Sequence, residues 1–210
     1  MQYRGSIYEL LYCDTVSAAA ISRTGPILAQ LVIYEKESFK MALLKYSVWL
    51  KPTGIVNRKF SQLISQLAER YSSPAFPPHV TLIGSIEAHE EEIIGKAHEL
   101  ASLIQPYTIK LMNVDYTDDY YRALFVRVEP SAGVLAAYEQ ARKLFPSNEA
   151  SYMPHLSLLY GDFSVETKKK IIKKVGDRFT DEFEVNTLHL YLTEGDADSW
   201  HKVREFLLRV

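Results

Sequence analysis

A six-residue pattern occurs twice in this sequence, and it constrains the fold more than any other feature. The first copy, residues 78–83, reads Pro-His-Val-Thr-Leu-Ile, and the second, residues 154–159, reads Pro-His-Leu-Ser-Leu-Leu. Successive side chains of a strand point to opposite faces, so each copy places its histidine and hydroxyl on one face and its apolar residues on the other. The repeat therefore predicts two equivalent strands, each presenting one imidazole and one hydroxyl.

The length of the shared pattern is what makes it informative. A histidine followed at the second position by serine or threonine is expected by chance in a chain with 6 histidines. Six matching positions in a row indicate instead an internal structural repeat. The alternative interpretation is two buried strands whose histidines are satisfied within the core.

Composition and charge are those of an ordinary soluble globular protein. The chain has 210 residues, of which 47% are apolar or aromatic and 24% are charged. The net charge of −2 argues against a broad footprint for duplex nucleic acid, although a local basic cleft stays open. Cys13 is the only cysteine, which excludes an intramolecular disulfide and fits either a reducing compartment or a protein indifferent to redox state. No run reaches the roughly 18 apolar residues of a membrane span, so we expect no membrane partner. We also expect a cytoplasmic location and a monomer.

Residues 1–42 differ from the rest of the chain. Their strongest apolar run, residues 27–34, could be a strand or a short helix, and Glu9 and Asp14 argue against a secretory signal. We expect a dispensable extension of unknown role, followed by one functional domain over residues 43–210. Translation from Met41 is the alternative.

Strands and helices are predicted to alternate through residues 43–210. We expect strands at 46–50, 78–84, 108–115, 121–128 and 154–160, helices at about 57–71, 88–104, 131–145 and 165–175, and a final hairpin pairing 183–192 with 200–208. Gly84 and Gly161 are expected to end the two repeat strands, and Ser164 and Gly176 to bound the last helix. The pattern predicts an α+β domain of two pseudo-symmetric halves, each holding one repeat strand beside a shared cleft.

Two imidazoles and two hydroxyls facing one cavity suit a phosphate group. The hydroxyls can donate to non-bridging oxygens, while one neutral histidine accepts a proton from water and the other, protonated, donates to a leaving oxygen. Opening of a strained cyclic phosphodiester needs only this set, with no metal or cofactor. A zinc site would need three or four ligands, and neither motif carries an adjacent carboxylate. Ser157 also lacks the Gly-x-Ser-x-Gly context of a hydrolase nucleophile.

Other candidate residues are interpreted as structural. Four histidines outside the repeat are assigned no chemistry: His89, His98, His189 and His201. A run of lysines on the last helix is interpreted as a solvated face around Ile171, Ile172 and Val175, with RNA binding as the alternative. Its members are Lys168, Lys169, Lys170, Lys173 and Lys174.

The two motifs, residues 78–81 and 152–160, closely resemble the signature motifs of the two-histidine (2H) phosphoesterase superfamily. The second motif is most similar to that of the eukaryotic, plant-type cyclic phosphodiesterases, and residues 46–50 and 193–200 resemble the first strand and last hairpin of that branch. The resemblance covers about 45–210. It implies a bilobal α+β fold, with two pseudo-symmetric lobes of antiparallel sheet and flanking helices around a central cleft.

The resemblance also implies a reaction and residue roles. Enzymes of this kind open ADP-ribose 1″,2″-cyclic phosphate to the 1″-phosphate and nucleoside 2′,3′-cyclic phosphates to the 2′-phosphate. Carried over by motif position, His155 is the base for water and His79 the acid, although nothing in the sequence fixes that order. The phosphate holders would be Thr81, Ser157 and Tyr160, and the cleft aromatics that could stack on a base would be Trp49, Tyr121 and Phe125.

Two further functions remain open from the sequence. Some members of the superfamily process RNA ends, which would require a basic groove leading from the cleft. A non-catalytic nucleotide-binding module would keep the fold and use the histidines only to hold phosphate. The presence of both histidines and both hydroxyls favours an active enzyme, whose partner is a small cyclic nucleotide or ADP-ribose derivative.

Overall fold

Eight strands and four helices make up the part of the chain that the computed structural model describes, residues 43–145 and 152–209. The strands are β1 (Leu44–Leu50), β2 (Val80–Ala88), β3 (Tyr107–Asp115), β4 (Leu124–Val128), β5 (His155–Leu159), β6 (Glu182–Val185), β7 (Thr187–Leu192) and β8 (His201–Leu207). The helices are α1 (Gly54–Tyr71), α2 (Glu90–Leu103), α3 (Ala132–Leu144) and α4 (Val165–Val175), with short 3₁₀ turns at Tyr120–Arg122 and Ala197–Ser199.

The sheet is built from two halves that meet at the repeat strands. Its order is β6-β3-β4-β5-β2-β1-β7-β8, and every neighbouring pair is antiparallel. β2 and β5 lie side by side in the middle, paired at Val80 and Leu156. Reading outward from this seam, each half contains a repeat strand, the strand preceding it in sequence and two further strands. The predicted α+β fold with two pseudo-symmetric halves is confirmed.

A β-bulge interrupts the regular alternation in the first repeat strand. Thr81 lies opposite Trp49 and Ile83 opposite Val48, so Leu82 is an extra residue that β1 does not match. A bulge moves the following residues to the other face of the sheet. Leu82 and Ile83 are consequently both buried, and the residue after them returns to the histidine face.

The second repeat strand carries the same bulge at the equivalent place. Ser157 lies opposite Phe125 and Leu159 opposite Leu124, which leaves Leu158 unmatched. Strict alternation would point Tyr160 away from the histidine face, and the bulge turns it back. The two halves thus repeat each other in backbone irregularity as well as in sequence.

The first repeat strand does not end at Gly84 as predicted, but continues to Ala88. The chain absorbs a further bulge at this point, where Ser85 adopts a positive φ of 54°. A Cβ on Gly84 would lie 3.3 Å from Thr81 Cγ2 and 3.4 Å from Ser47 Oγ. Gly84 is therefore a place of close packing beside the cleft rather than a strand terminator.

The region before β4 also differs from the prediction. Residues 121–123 were predicted to extend the strand, whereas Tyr121 and Arg122 belong to a 3₁₀ turn. Asp119 caps that turn, because its Oδ1 accepts a hydrogen bond of 2.9 Å from the Tyr121 backbone N–H. Side-chain capping by aspartate competes with strand pairing, so the loop extends to Ala123.

The predicted strand over 183–192 is wrong, because it is two strands in different parts of the sheet. β6 pairs with β3 at one edge, and β7 pairs with β1 and β8 in the other half. Phe183 and Val185 are buried in β6, whereas Leu188 and Leu190 are buried in β7. These two apolar series have opposite parity, which is incompatible with one continuous strand facing one core.

The helices follow their apolar patterns closely. α4 spans the predicted residues; Ser164 Oγ accepts from the Thr167 N–H at 3.2 Å, and the helix stops at Gly176. α1 begins three residues earlier than predicted, at Gly54, because its first turn is largely exposed and contributes nothing to the apolar stripe. None of the helices in the described part of the chain is long and apolar enough to cross a membrane.

The lysine run on α4 is solvated except at one position. Lys169, Lys170, Lys173 and Lys174 are exposed, whereas Lys168 is buried, so its assignment to a solvated face is wrong. The predictions for residues 1–42 lie outside the described residues.

Candidate active site

A cleft of about 930 Å³ lies over the centre of the sheet, where the two repeat strands are neighbours. The motif side chains line it together: His79, Thr81, His155 and Ser157. Their convergence follows from the fold, because β2 and β5 are adjacent and present their histidine faces on the same side. Two motifs that are far apart in the sequence therefore form one contiguous surface.

Both imidazoles are held in the same way. His79 Nδ1 lies 2.7 Å from the Pro77 carbonyl oxygen, and His155 Nδ1 lies 2.8 Å from the Met153 carbonyl oxygen. A carbonyl only accepts hydrogen bonds, so Nδ1 carries the proton in both rings and Nε2 is left for chemistry. The intervening proline of each motif keeps the accepting residue extended, which explains why Pro-His recurs as a unit.

His79 is embedded in a stack of aromatic rings. Its ring lies 3.6 Å from that of Trp49 at an angle of 10°, and Tyr191 covers the other face of Trp49 at 3.8 Å. Burial lowers the pKa of His79 to about 3, with the positive charge of Lys51 acting in the same direction and the bond to Pro77 opposing it. His79 is therefore neutral at pH 7 in the free protein.

His155 has a more polar environment. Phe125 packs edge-on against its ring at 5.1 Å, and charged side chains surround the remainder. Burial lowers the pKa of His155, and Arg122 and Arg127 lower it further, while the carboxylate of Asp119 raises it. Both histidines are consequently biased toward the neutral form before any ligand is bound.

The second hydroxyl is part of a hydrogen-bonded cluster. Ser157 Oγ donates to the Tyr121 carbonyl oxygen at 3.1 Å, and it lies near enough to the Tyr160 hydroxyl to lower the pKa of that group. Tyr160 lies just beyond the end of β5, stacks on Phe76 at 3.8 Å and lines the cleft. Burial raises the pKa of Tyr160, so its hydroxyl remains a hydrogen-bond donor. The structure therefore places Ser157 and Tyr160 together.

The first hydroxyl, on Thr81, lines the cleft without such a cluster. The backbone carbonyl of Thr81 accepts a hydrogen bond of 3.2 Å from the hydroxyl of Tyr152, which stacks on Tyr138. Tyr152 lies three residues before His155, so this contact connects the second motif directly to the first. Tyr152 begins the second motif but was not predicted as a site residue, since nothing in the sequence assigned it a role.

The three aromatic residues predicted to contact a base occupy different positions. Tyr121 is 47% exposed on the cleft wall. Trp49 reaches the wall but is 1% exposed, with both ring faces covered, so it cannot stack on a base. Phe125 is buried behind His155 and does not line the cleft, contrary to the prediction. Trp200, which sequence analysis missed, lies 5.8 Å from Tyr121 at an angle of 30°.

Charged residues of the cleft were also missed. Arg122 Nη2 donates to Asp119 Oδ2 at 2.9 Å, beside His155. The remaining charged wall residues lie toward the β1–β7 side: Lys45, Glu194 and Asp196. All come from strand ends and loops, where no periodicity identifies them. The four histidines to which sequence analysis assigned no chemistry do not line the cleft.

Comparison with known proteins agrees with this architecture. The sequence model of the family described as cyclic phosphodiesterase-like protein matches residues 44–208. The cyclic phosphodiesterase of Arabidopsis thaliana is 28% identical over 166 residues, covering 75% of this chain and 92% of that protein. A 2′,3′-cyclic-nucleotide 3′-phosphodiesterase of Yarrowia lipolytica is 27% identical over 143 residues, covering 63% of this chain and 64% of that protein.

Solved structures share the fold at lower sequence identity. The crystal structure of E. coli LigT complexed with NADP+ matches with a TM-score of 0.56 and 12% identity, covering 80% of this chain and 99% of LigT. LigT has also been solved in complex with 3′-AMP. With the family match over residues 44–208, the chain belongs to the cyclic phosphodiesterase-like family of two-histidine phosphoesterases, which are hydrolases of phosphoric diester bonds.

Proposed function

We propose that this protein hydrolyses a cyclic phosphodiester on a ribose without a metal ion. The substrates proposed are ADP-ribose 1″,2″-cyclic phosphate and nucleoside 2′,3′-cyclic phosphates, the latter opened to the 2′-phosphate. The observation that carries this proposal is the pair of equivalently held imidazoles in one cleft, each with a hydroxyl two residues away.

The hydroxyls of this site suit the non-bridging oxygens of the phosphate. Thr81 and Ser157 would donate one hydrogen bond each, and Tyr160 would add a third from beside Ser157. Ser157 Oγ donates to the Tyr121 carbonyl in the free protein, so its proton turns toward the ligand on binding. Pre-positioned donors of this kind stabilise the charge that develops on the phosphoryl oxygens in the transition state.

The two histidines would divide the proton transfers. Following the family resemblance, Nε2 of His155 takes a proton from water as the water oxygen bonds to phosphorus. Nε2 of protonated His79 gives its proton to the ribose oxygen as the bond between that oxygen and phosphorus breaks. The products are a phosphate monoester and a free hydroxyl, and exchange with solvent restores both histidines.

The lowered pKa values place a condition on this scheme. His79 is neutral in the free protein at pH 7, so its proton must be acquired together with the substrate. The negative charge of the bound phosphate favours the imidazolium form, which raises the pKa of a neighbouring histidine. The reverse order, with His79 as base and His155 as acid, is tested below.

The absence of a metal requirement is supported by the side chains available. Within residues 43–145 and 152–209, no three His, Cys, Asp or Glu side chains are grouped as a metal site requires.

The nucleoside part of the substrate would contact the wall formed by Tyr121 and Trp200, whose rings lie 5.8 Å apart. Stacking on an aromatic face contributes about 1–3 kcal/mol per base.

Phosphorus NMR tests the proposed function. The purified protein is incubated with ADP-ribose 1″,2″-cyclic phosphate or a nucleoside 2′,3′-cyclic phosphate in the presence of a strong chelator. We expect conversion to a monoester, and its chemical shift and coupling show which ester bond is cleaved. Binding of both compounds without conversion would contradict the proposal and indicate a non-catalytic nucleotide-binding module. Loss of activity with chelator, restored by zinc, would contradict metal independence.

A further inference from the structure

Lys168 is a buried lysine that the proposed reaction does not use. It lies on α4 and is 2% exposed, whereas Lys169 and Lys170 beside it are exposed. Burying an ammonium group is costly unless the group is paired and hydrogen-bonded. Lys168 Nζ is paired in this way, and both of its partners belong to one loop. It donates to the Thr117 carbonyl oxygen at 2.7 Å and to Asp118 Oδ1 at 2.9 Å.

The loop that Lys168 holds forms one wall of the active-site cleft. This cleft loop, residues 116–123, joins β3 to β4 and places Asp119, Tyr121 and Arg122 on the wall. On its cleft side the loop is bonded to the second repeat strand and the residues after it. Ser157 Oγ donates to the Tyr121 carbonyl at 3.1 Å, and the Gly161 N–H donates to the Tyr120 carbonyl at 2.9 Å.

Hydrogen bonds within the cleft loop connect its two ends. The N–H and the hydroxyl of Thr117 both donate to the Arg122 carbonyl, at 3.1 Å and 3.0 Å. The carbonyl of the same Thr117 accepts from Lys168. A shift of the loop away from α4 would therefore move Arg122, and with it the charged wall beside His155.

We propose that Lys168 is a positioning residue that fixes the cleft loop on α4 and so sets the wall beside His155 and the acceptor of the Ser157 hydroxyl. Lys168 does not line the cleft, so it acts only through the loop. Measuring the kcat of a Lys168 variant tests this proposal only if the proposed function is correct. Measuring the pKa of His155 in the same variant does not depend on the proposed function.

Lys168→Met tests the kinetic consequence, since methionine keeps an unbranched apolar stem and removes the donors. Lys169→Met is the matched control on the same helix. We expect kcat to fall about 10-fold to 100-fold in Lys168→Met, as small misplacements of active-site groups do, with a smaller change in KM. Lys169→Met should keep the wild-type values, and Lys168→Arg should recover much of kcat.

NMR titration of the histidines supplies a readout that needs no substrate. The groups facing His155 are Arg122, Asp119 and Arg127, and only the first two belong to the cleft loop. Loosening the loop exposes His155 and withdraws Arg122, and both changes raise the pKa of His155, while withdrawal of Asp119 opposes them in part. The pKa of His79 should stay unchanged in the same spectra, because its ring packs against Trp49 and Phe76 instead.

The proposal is overturned if folded Lys168→Met retains both the wild-type kcat and the wild-type titration of His155. If Lys168→Met does not fold, Asp118→Ala takes its place, because Asp118 is largely exposed. A smaller rise in the pKa of His155 is expected there, and wild-type behaviour contradicts the proposal. Absence of turnover in the wild-type protein would instead refute the proposed function and leave the titration test intact.

Discussion

The two halves of the cleft share a backbone and differ in what surrounds the histidine. In the first half, His79 stacks on Trp49, Tyr191 stacks on Trp49 in turn, and His79 is almost fully buried. In the second half, His155 faces Asp119 and Arg122 on a loop that α4 holds in place. A duplicated backbone therefore supports two chemically different environments: a buried, aromatic one around His79 and a more polar one around His155.

This difference shows what a repeat motif does and does not determine. The residue before each Pro-His unit fixes the tautomer of the histidine, because its carbonyl oxygen accepts a hydrogen bond from Nδ1. That residue is Pro77 in one half and Met153 in the other. Ionisation is determined by residues outside the motif, which the two halves do not share. Two identical side chains therefore protonate at different pH in the free protein, His155 before His79.

The largest effect is expected from removing either histidine. His79→Ala and His155→Ala should each lower kcat about 10²-fold to 10⁴-fold, because each removes one proton transfer. Steady-state kinetics on a cyclic phosphate measures the loss, and circular dichroism verifies the fold. Substantial activity in either variant would show that the two halves are not a working pair.

A substrate with sulfur in place of the leaving ribose oxygen distinguishes the two roles, because a thiolate leaves without being protonated. With His79 as the acid, this substrate should restore much of the activity of His79→Ala and little of that of His155→Ala. The opposite pattern would reverse the assignment.

The pH dependence should reveal the lowered pKa values. The profile of kcat/KM should be bell-shaped, falling at low pH when the base is protonated and at high pH when the acid is deprotonated. Both pKa values lie below 6.5 in the free protein, so the optimum is expected below pH 6.5. In an NMR titration His155 should protonate before His79, whose pKa is about 3. An optimum above pH 7.5 would contradict this description of the site.

The two hydroxyls should differ in importance. Ser157→Ala should lower kcat/KM about 100-fold, as loss of a transition-state donor does, because it also removes the partner of Tyr160 and the bond to Tyr121. Thr81→Ala should cost about 10-fold, the effect of one hydrogen bond. Kinetics of both variants on one substrate makes the comparison, and equal losses would show that the Ser157 cluster adds nothing.

The smallest effect is expected at the contact between the halves. Tyr152→Phe removes its hydrogen bond to the Thr81 carbonyl and keeps the ring that stacks on Tyr138. Thermal or urea unfolding should show a loss of about 1 kcal/mol, and kcat should fall a few-fold. Tyr138→Phe is the matched control. An unchanged kcat in Tyr152→Phe would show that this contact does not align the motifs.

Sequence reasoning succeeded where the physics is local and periodic. The apolar stripes located the helices, and the two Pro-His units located the strands of the cleft. It failed where a structure depends on distant partners. The bulges at Leu82 and Leu158, which turn Gly84 and Tyr160 toward the cleft, depend on pairing with β1 and β4.

Burial produced the other errors. Trp49 and Phe125 are aromatic residues of the kind that stack on bases. Strand pairing places each beside a histidine, however, and leaves no ring face accessible to a ligand. Lys168 lies in a run of lysines that are otherwise exposed. It is buried because the loop containing Thr117 and Asp118 packs on α4 at that position. None of these contacts leaves a periodic trace in the sequence.

Hydrolysis in ¹⁸O-labelled water tests the central claim most directly. The protein is incubated with a nucleoside 2′,3′-cyclic phosphate and a chelator, and the product is followed by phosphorus NMR beside the two histidine-to-alanine variants. We expect a 2′-phosphate carrying one ¹⁸O on phosphorus from the wild-type protein, formed about 10²-fold to 10⁴-fold more slowly by either variant. A cyclic phosphate that remains intact with the wild-type protein, or a product without ¹⁸O, would contradict hydrolysis by a histidine-activated water.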